Sequence, residues 1–225
     1  MLLMLCLFNL FLIDQPDVIV PDHGVYGIQL RFGPTGDVIT YGTLGLFNRL
    51  SLGVSYGASN LIGAGNPEFY HQPGVQIRVK AIEEAYLMPT VILGLDNQGY
   101  GIYDEDNERY QIMSKGIYIQ LGRQFEYPDF TIAPNLGLNY CFESDGRLDM
   151  FVGIKFSIKS SVQILFDYSP NFSDGLDQNK GYFNTAINLI LHEDVFCQFA
   201  LRDLLDNGYD QQLNRMVKFG FFQTF

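Results

Sequence analysis

A chain of 225 residues has room for one domain or one large β unit. Only 17% of it is charged against 47% hydrophobic, too little charge for the water-facing side of a typical soluble β protein. A net charge of -11, with acidic runs at 104–108, 174–177 and 203–210, argues against nucleic acid as a partner.

Residues 1–13 (MLLMLCLFNLFLI) are too short to span a bilayer as a helix and resemble the apolar region of a signal peptide. They lack a basic leader and an A-x-A cleavage site. A start assigned downstream of the true one, clipping the leader, accounts for that. Leu3-Met4-Leu5 makes a poor lipobox for Cys6. Cys6, Cys141 and Cys197 show neither metal spacing nor an even disulfide set, so isolated thiols and no cofactor or metal are expected.

From residue 25 onward the pattern is period two, the mark of half-buried strands. Tyr26, Ile28, Leu30 and Phe32 alternate with Gly27, Gln29, Arg31 and Gly33. A strand over 38–47 follows, then Leu50, Leu52, Val54, Tyr56 and Ala58 alternating with Ser51, Gly53, Ser55, Gly57 and Ser59. Weaker strands are predicted over 75–82, 88–96 and 115–124, with 98–114 a polar loop. Segments 130–142 and 148–158 alternate cleanly, although Pro134 removes a ladder hydrogen bond from the first. Strands over 162–169, 181–192, 195–202 and 215–225 complete a set of about twelve. Many come near the roughly 9–11 residues of a tilted membrane strand. The fold expected is all-β: a closed antiparallel up-and-down transmembrane β-barrel of about 12 strands over 25–225, with 1–24 an apolar segment and periplasmic lead-in.

Alternation does not say which face is outside. Three observations favour apolar outward. A soluble twelve-stranded barrel would have an interior too wide for Leu, Ile and Phe to fill. Connections 34–37, 60–74, 97–114, 143–147, 170–180 and 203–214 include every long loop, and those between them (48–49, 83–87, 125–129, 159–161, 193–194) are short, matching external loops and periplasmic turns. Tyr56, Tyr140, Phe142, Phe166, Tyr168 and Phe183 mark one level, and Tyr26, Phe47, Tyr86, Tyr127, Phe130 and Phe225 the other, as interfacial girdles do. Leu52, Val54, Leu138 and Ile154 should then face outward. The final strand, with Phe219, Phe221 and the terminal Phe225, would pair with the first and resembles the assembly signal of outer-membrane barrels.

The inward face would carry Gln29, Arg31, Gln76, Arg78, Lys80, Asp96, Gln120, Asn135, Asn139, Asp149, Lys155, Gln163, Asp167, Asn184, Asn188, Gln198, Arg202 and Lys218. Buried charge must be hydrated or paired. Two readings stay open: a polar channel or sugar conduit, or a plugged or collapsed lumen whose charges form a stabilising network. A lipid hydrolase would need a nucleophile and base. His23 and His192 fall at the periplasmic side. His71 lies in an external loop near Ser59, without a nucleophile motif. Asp104-Glu105-Asp106-Asn107-Glu108 lacks the spacing of a calcium loop and reads as a solvated acidic loop. Gly63-Ala64-Gly65 has no following Lys or helix start for phosphate.

Leu12-Ile13-Asp14-Gln15-Pro16-Asp17 followed by Pro21-Asp22-His23-Gly24-Val25-Tyr26 resembles the start of YjbH-like outer-membrane barrels, with Asp17 where that family tends to have Thr. Residues 50–65 and 93–111 also resemble segments of that group. The resemblance implies an outer-membrane location, a link to exopolysaccharide loci and no catalytic site. Expected partners are outer-membrane lipids and lipopolysaccharide, the barrel-assembly machinery and polysaccharide, and the expected role is structural or passive transport. A soluble barrel holding a lipid or sugar, and an outer-membrane lipid hydrolase, are the alternatives.

Overall fold

The computed structural model describes residues 10–34, 36–143, 146–159, 161–170, 172, 180–192, 194–206 and 214–225. The acidic stretches 174–177 and 207–210, and Cys6, lie outside the described residues.

Twelve antiparallel strands close a barrel: β1 (Val25–Phe32), β2 (Val38–Leu46), β3 (Leu50–Ser59), β5 (Gly74–Ile82), β6 (Thr90–Asp96), β9 (Gly116–Gly122), β11 (Phe130–Tyr140), β12 (Leu148–Ile158), β13 (Val162–Ser169), β14 (Tyr182–His192), β15 (Val195–Arg202) and β16 (Asn214–Thr224). Short pieces β4 (Glu68–Phe69) and β10 (Phe125–Glu126) extend ladders at the rims, and β7 (Tyr100–Asp104) pairs β8 (Arg109–Ile112) as a separate hairpin. The ends meet as expected: β16 pairs β1 from Val25–Thr224 to Phe32–Val217. Closure leaves no long open edge.

The alternation resolves as apolar outward. Leu52, Val54, Leu138 and Ile154 are 40%, 62%, 53% and 36% exposed, whereas Ser51, Ser55, Asn139 and Lys155 are buried. In water such an exposed belt would be an aggregation surface; in hydrocarbon it is the favourable face. Rings border it at both levels. Tyr56 stacks near Phe69 and Tyr140 meets Phe142 on the long-loop rim, while Tyr127 stacks on Phe130 and Tyr26 approaches Phe225 on the short-turn rim.

Pro134 sits in β11 without breaking it. Its carbonyl accepts from Arg123 N, so its ring nitrogen points the same way, into the gap between the end of β9 and the start of β10. The missing donor thus falls between the two paired stretches and interrupts neither.

Residues 98–114 are not simply a polar loop. Asp104 closes a turn by accepting from Asp106 N and Asn107 N, and the flanking β7–β8 hairpin turns Tyr100 and Tyr110 inward to join Ile39, Tyr41 and Tyr70. Hydrophobic burial of these rings holds an otherwise charged loop over the barrel mouth.

The interior is packed, and much of the packing comes from residues 10–20. Phe11 bridges Pro16, Leu12 N donates to Gln15 O and Asp17 N to Leu10 O, making a tight reverse loop inside the barrel. Leu10 and Phe11 join the tyrosine cluster. Leu12 and Ile13 pack on Leu165, Ala186, Ala200 and Met216. Val20 packs on Ile92, Tyr118 and Phe151. Glycine makes the fit possible: a Cβ on Gly153 would lie 2.2 Å from Leu12 Cδ1, and one on Gly94 2.1 Å from the Tyr118 ring.

Candidate functional site

The candidate site is the lumen. Of the expected inward residues, Gln29, Arg31, Gln76, Arg78, Asp96, Gln120, Asn135, Asn139, Asp149, Lys155, Asp167, Asn184, Asn188, Gln198, Arg202 and Lys218 are buried. Gln163 is half-buried and accepts from Asn188 Nδ2 at 2.8 Å. Lys80 is half-buried at the short-turn rim, where its ammonium pairs with Glu83 at 3.0 Å. Strand periodicity places all of these, because every second side chain must face the axis.

What brings many of them together is the loop 10–17. The Asp14 carboxylate takes Arg31 Nη2 on Oδ1 and Arg202 Nε on Oδ2, each at 2.7 Å. Asp17 receives the Lys155 ammonium. Asp167 Oδ2 accepts the backbone N–H groups of Ile13, Asp14 and Gln15 at 3.1, 2.9 and 3.2 Å. Asn184 Nδ2 donates to both Asp167 (2.7 Å) and Asp14 (3.3 Å). Gln198 reaches Leu12 O, Gln120 reaches Pro16 O, each at 2.7 Å, and Arg78 reaches Leu10 O. Strands β1, β5, β9, β12, β13, β14 and β15 thus all hold the segment. Charges out of water are tolerable where they meet an opposite charge, as Asp14, Asp17, Arg31, Lys155 and Arg202 do, or several hydrogen bonds, as Asp167 does.

A second group lies nearer the long-loop rim. Gln76 Nε2 donates to Ser55 Oγ and Asp96 Oδ1 (2.9 and 3.2 Å), and Ser55 donates to Gln98 Oε1 at 2.7 Å. Asn139 Nδ2 donates to Lys115 O at 3.1 Å. Tyr100 stacks beneath the Arg31 guanidinium at 3.6 Å, joining the hairpin to the buried charges. Outside the strands, Glu143 ties the hairpin to the β11–β12 connection by accepting Tyr110 N and Ser114 N at 2.8 Å each. Burial raises its carboxyl above the usual glutamate value, against hydrogen bonds from those residues that lower it. The Asp104 carboxyl is lowered by hydrogen bonds from Asn107; it serves the turn.

Ser59, His71 and Glu105 line one cavity of about 330 Å³ on the long-loop rim. The Ser59 hydroxyl has no hydrogen-bond partner, and the His71 ring stacks on Tyr103 at 5.3 Å. No nucleophile–base pair forms there. His23 stacks on Phe47 at the opposite rim. Cys141 and Cys197 are free and buried. Phe219 and Phe221 face outward on β16, and Phe225 is exposed at its end.

Sequence reasoning missed Asp14, Asp17 and the inward Tyr41, Phe151, Phe196 and Phe222. Part of a signal for the first two was present: residues 1–30 contain no Lys or Arg, so an acid buried there has no local partner and must find one across the fold.

No family model matches the chain, and no curated protein matches it either. Among solved structures it is similar to the NanC porin, with a TM-score of 0.51 and 10% identity over 89% of this chain and 99% of that one. It is likewise similar to the KdgM porin, with a TM-score of 0.50 and 6% identity over 89% and 99%. At such identity the likeness is one of fold, and the fold is that of an outer-membrane β-barrel.

Proposed function

We propose that the chain is an outer-membrane barrel with a passive channel role for small hydrophilic solutes, held closed in this conformation by residues 10–17. The observation that carries the reading is the wall itself: a closed ring of strands, apolar outside and lined inside by amides and charges. The porin-like fold supports it. A structural role is the second reading, favoured by the filled lumen. A tie to exopolysaccharide export, contact with lipopolysaccharide, and insertion by the barrel-assembly machinery belong to the same proposal, supported by the YjbH-like segments. The reading is non-enzymatic, since the rim serine and histidine make no catalytic pair.

Single-channel recording in planar bilayers tests it. Rare or small openings are expected for the folded chain, and more frequent ones when Asp14 and Asp17 are changed to asparagine. Silence from both proteins, with the barrel shown to be inserted, would leave the structural role. Folded protein recovered from a water-soluble fraction without detergent would remove both.

A further inference from the structure

We propose that Arg31, Arg202 and Lys218 form a binding site for carboxylate-bearing solutes, and that Asp14 occupies it as a ligand supplied by the chain itself. The inference rests on the channel reading and names its solute class.

The three cations come from adjacent strands β1, β16 and β15. Arg31 is directly opposite Lys218 in the ladder, and Lys218 is directly opposite Gln198. Arg202 lies four positions further along β15, opposite Asn214, and is brought to Arg31 through Asp14, which both contact; buried cations gathered on one wall repel one another unless negative charge lies among them. Asp14 lies between the two guanidinium groups and bridges both at 2.7 Å. Asp14 is no part of the wall. It belongs to a loop that carries two carboxylates and no cation, and that enters the lumen as a separate piece of chain. The wall's own Asp167 turns one oxygen to the backbone N–H groups of that loop and the other to Asn184.

One carboxylate does not satisfy the site. Lys218 Nζ, Arg31 Nε and Arg202 Nη2 are buried without hydrogen-bond partners, as are both amide atoms of the neighbouring Gln29. Buried donors of this kind are normally paired. The wall therefore offers more donors than Asp14 uses. A solute bearing two or more carboxylates could engage all three cations at once, and it would compete with Asp14 for the same nitrogen atoms. Binding of one excludes the other, so acidic solute favours the conformation with the loop displaced.

The test is hydrogen exchange on the full-length wild-type chain folded in detergent, titrated with citrate and, at matched ionic strength, with sodium chloride. Displacement frees the amides of Ile13, Asp14 and Gln15 from Asp167. Their exchange should rise about tenfold with saturating citrate and little with salt, while β11 and β12 stay protected. No change, or an equal change with salt, overturns the proposal. A second measurement uses Leu12→Cys with Gly153→Cys, the native cysteines changed to serine, because a Cβ on Gly153 falls against Leu12. The disulfide should form on oxidation, and citrate should slow it; a rate indifferent to citrate overturns the site. Ion current is scored separately. Citrate-sensitive exchange with no current in any variant removes the channel and keeps the site, and current with citrate-insensitive exchange removes the site and keeps the channel.

Discussion

Asp14 is a single carboxylate between two guanidinium groups, all three nearly excluded from solvent. Removing one member of such a group leaves buried charge uncompensated, at a cost of about 3–5 kcal/mol. Asp14→Asn should therefore loosen the loop 10–17 and lower the urea midpoint of the folded barrel; an unchanged midpoint would show that the pairs contribute nothing. Pro134 gives the opposite expectation. Its nitrogen faces the gap between β9 and β10, so Pro134→Ala restores a donor outside the regular strand pairing. Its midpoint should stay within about 0.5 kcal/mol of wild type. A loss above about 2 kcal/mol would mean that the ring itself shapes the strand. The reach of sequence reading ends at residues like these. Arg31, Arg202 and Lys218 were placed on the inner face by counting in twos. Their partner was invisible, because Asp14 meets Arg202 across 188 positions of chain, a separation on which local periodicity is silent.

Among elements, the barrel strands were legible because each alternates for itself, whatever the length of the connection to its neighbour. The β7–β8 hairpin was not. Its charges announce solvent, and its tyrosines gain burial only once Ile39, Tyr41 and Tyr70 are assembled beneath them. The loop 10–17 was hidden for a related reason: its apolar run reads like a signal segment, and the burial of Leu10 to Ile13 depends on a barrel assembled around them. Glu143 gives the hairpin a measurable pH dependence. Burial raises its carboxyl above the ordinary 4.5, so the docked hairpin binds the proton more tightly than the undocked one. Docking is thus strongest below the ordinary value and weakens as pH rises through the raised one. Exchange protection of the Tyr110 and Ser114 amides, corrected for intrinsic rate, should fall over that window. Glu143→Gln, which does not titrate, should flatten the profile. A wild-type profile equally flat would mean that the carboxyl is not held by the loop.

For the whole molecule, the decisive property is that its two faces have exchanged solvents. Ile154 lies near the middle of β12 and Leu148 at its long-loop end, and both side chains point outward. In water, arginine at either exposed position would be nearly neutral. In a bilayer the cost depends on depth: about 2–4 kcal/mol at the midplane and about 0–1 near the interface. Ile154→Arg should therefore destabilise the barrel in lipid vesicles far more than Leu148→Arg, measured by reversible urea unfolding in the same lipid. Both variants fold the same strand and carry the same new charge, so propensity and net charge cancel between them. What remains is the environment met by the guanidinium. Equal and small costs would show that the belt does not face hydrocarbon, and the closed ring of strands would then have to be explained as a barrel standing in water with its greasy side exposed.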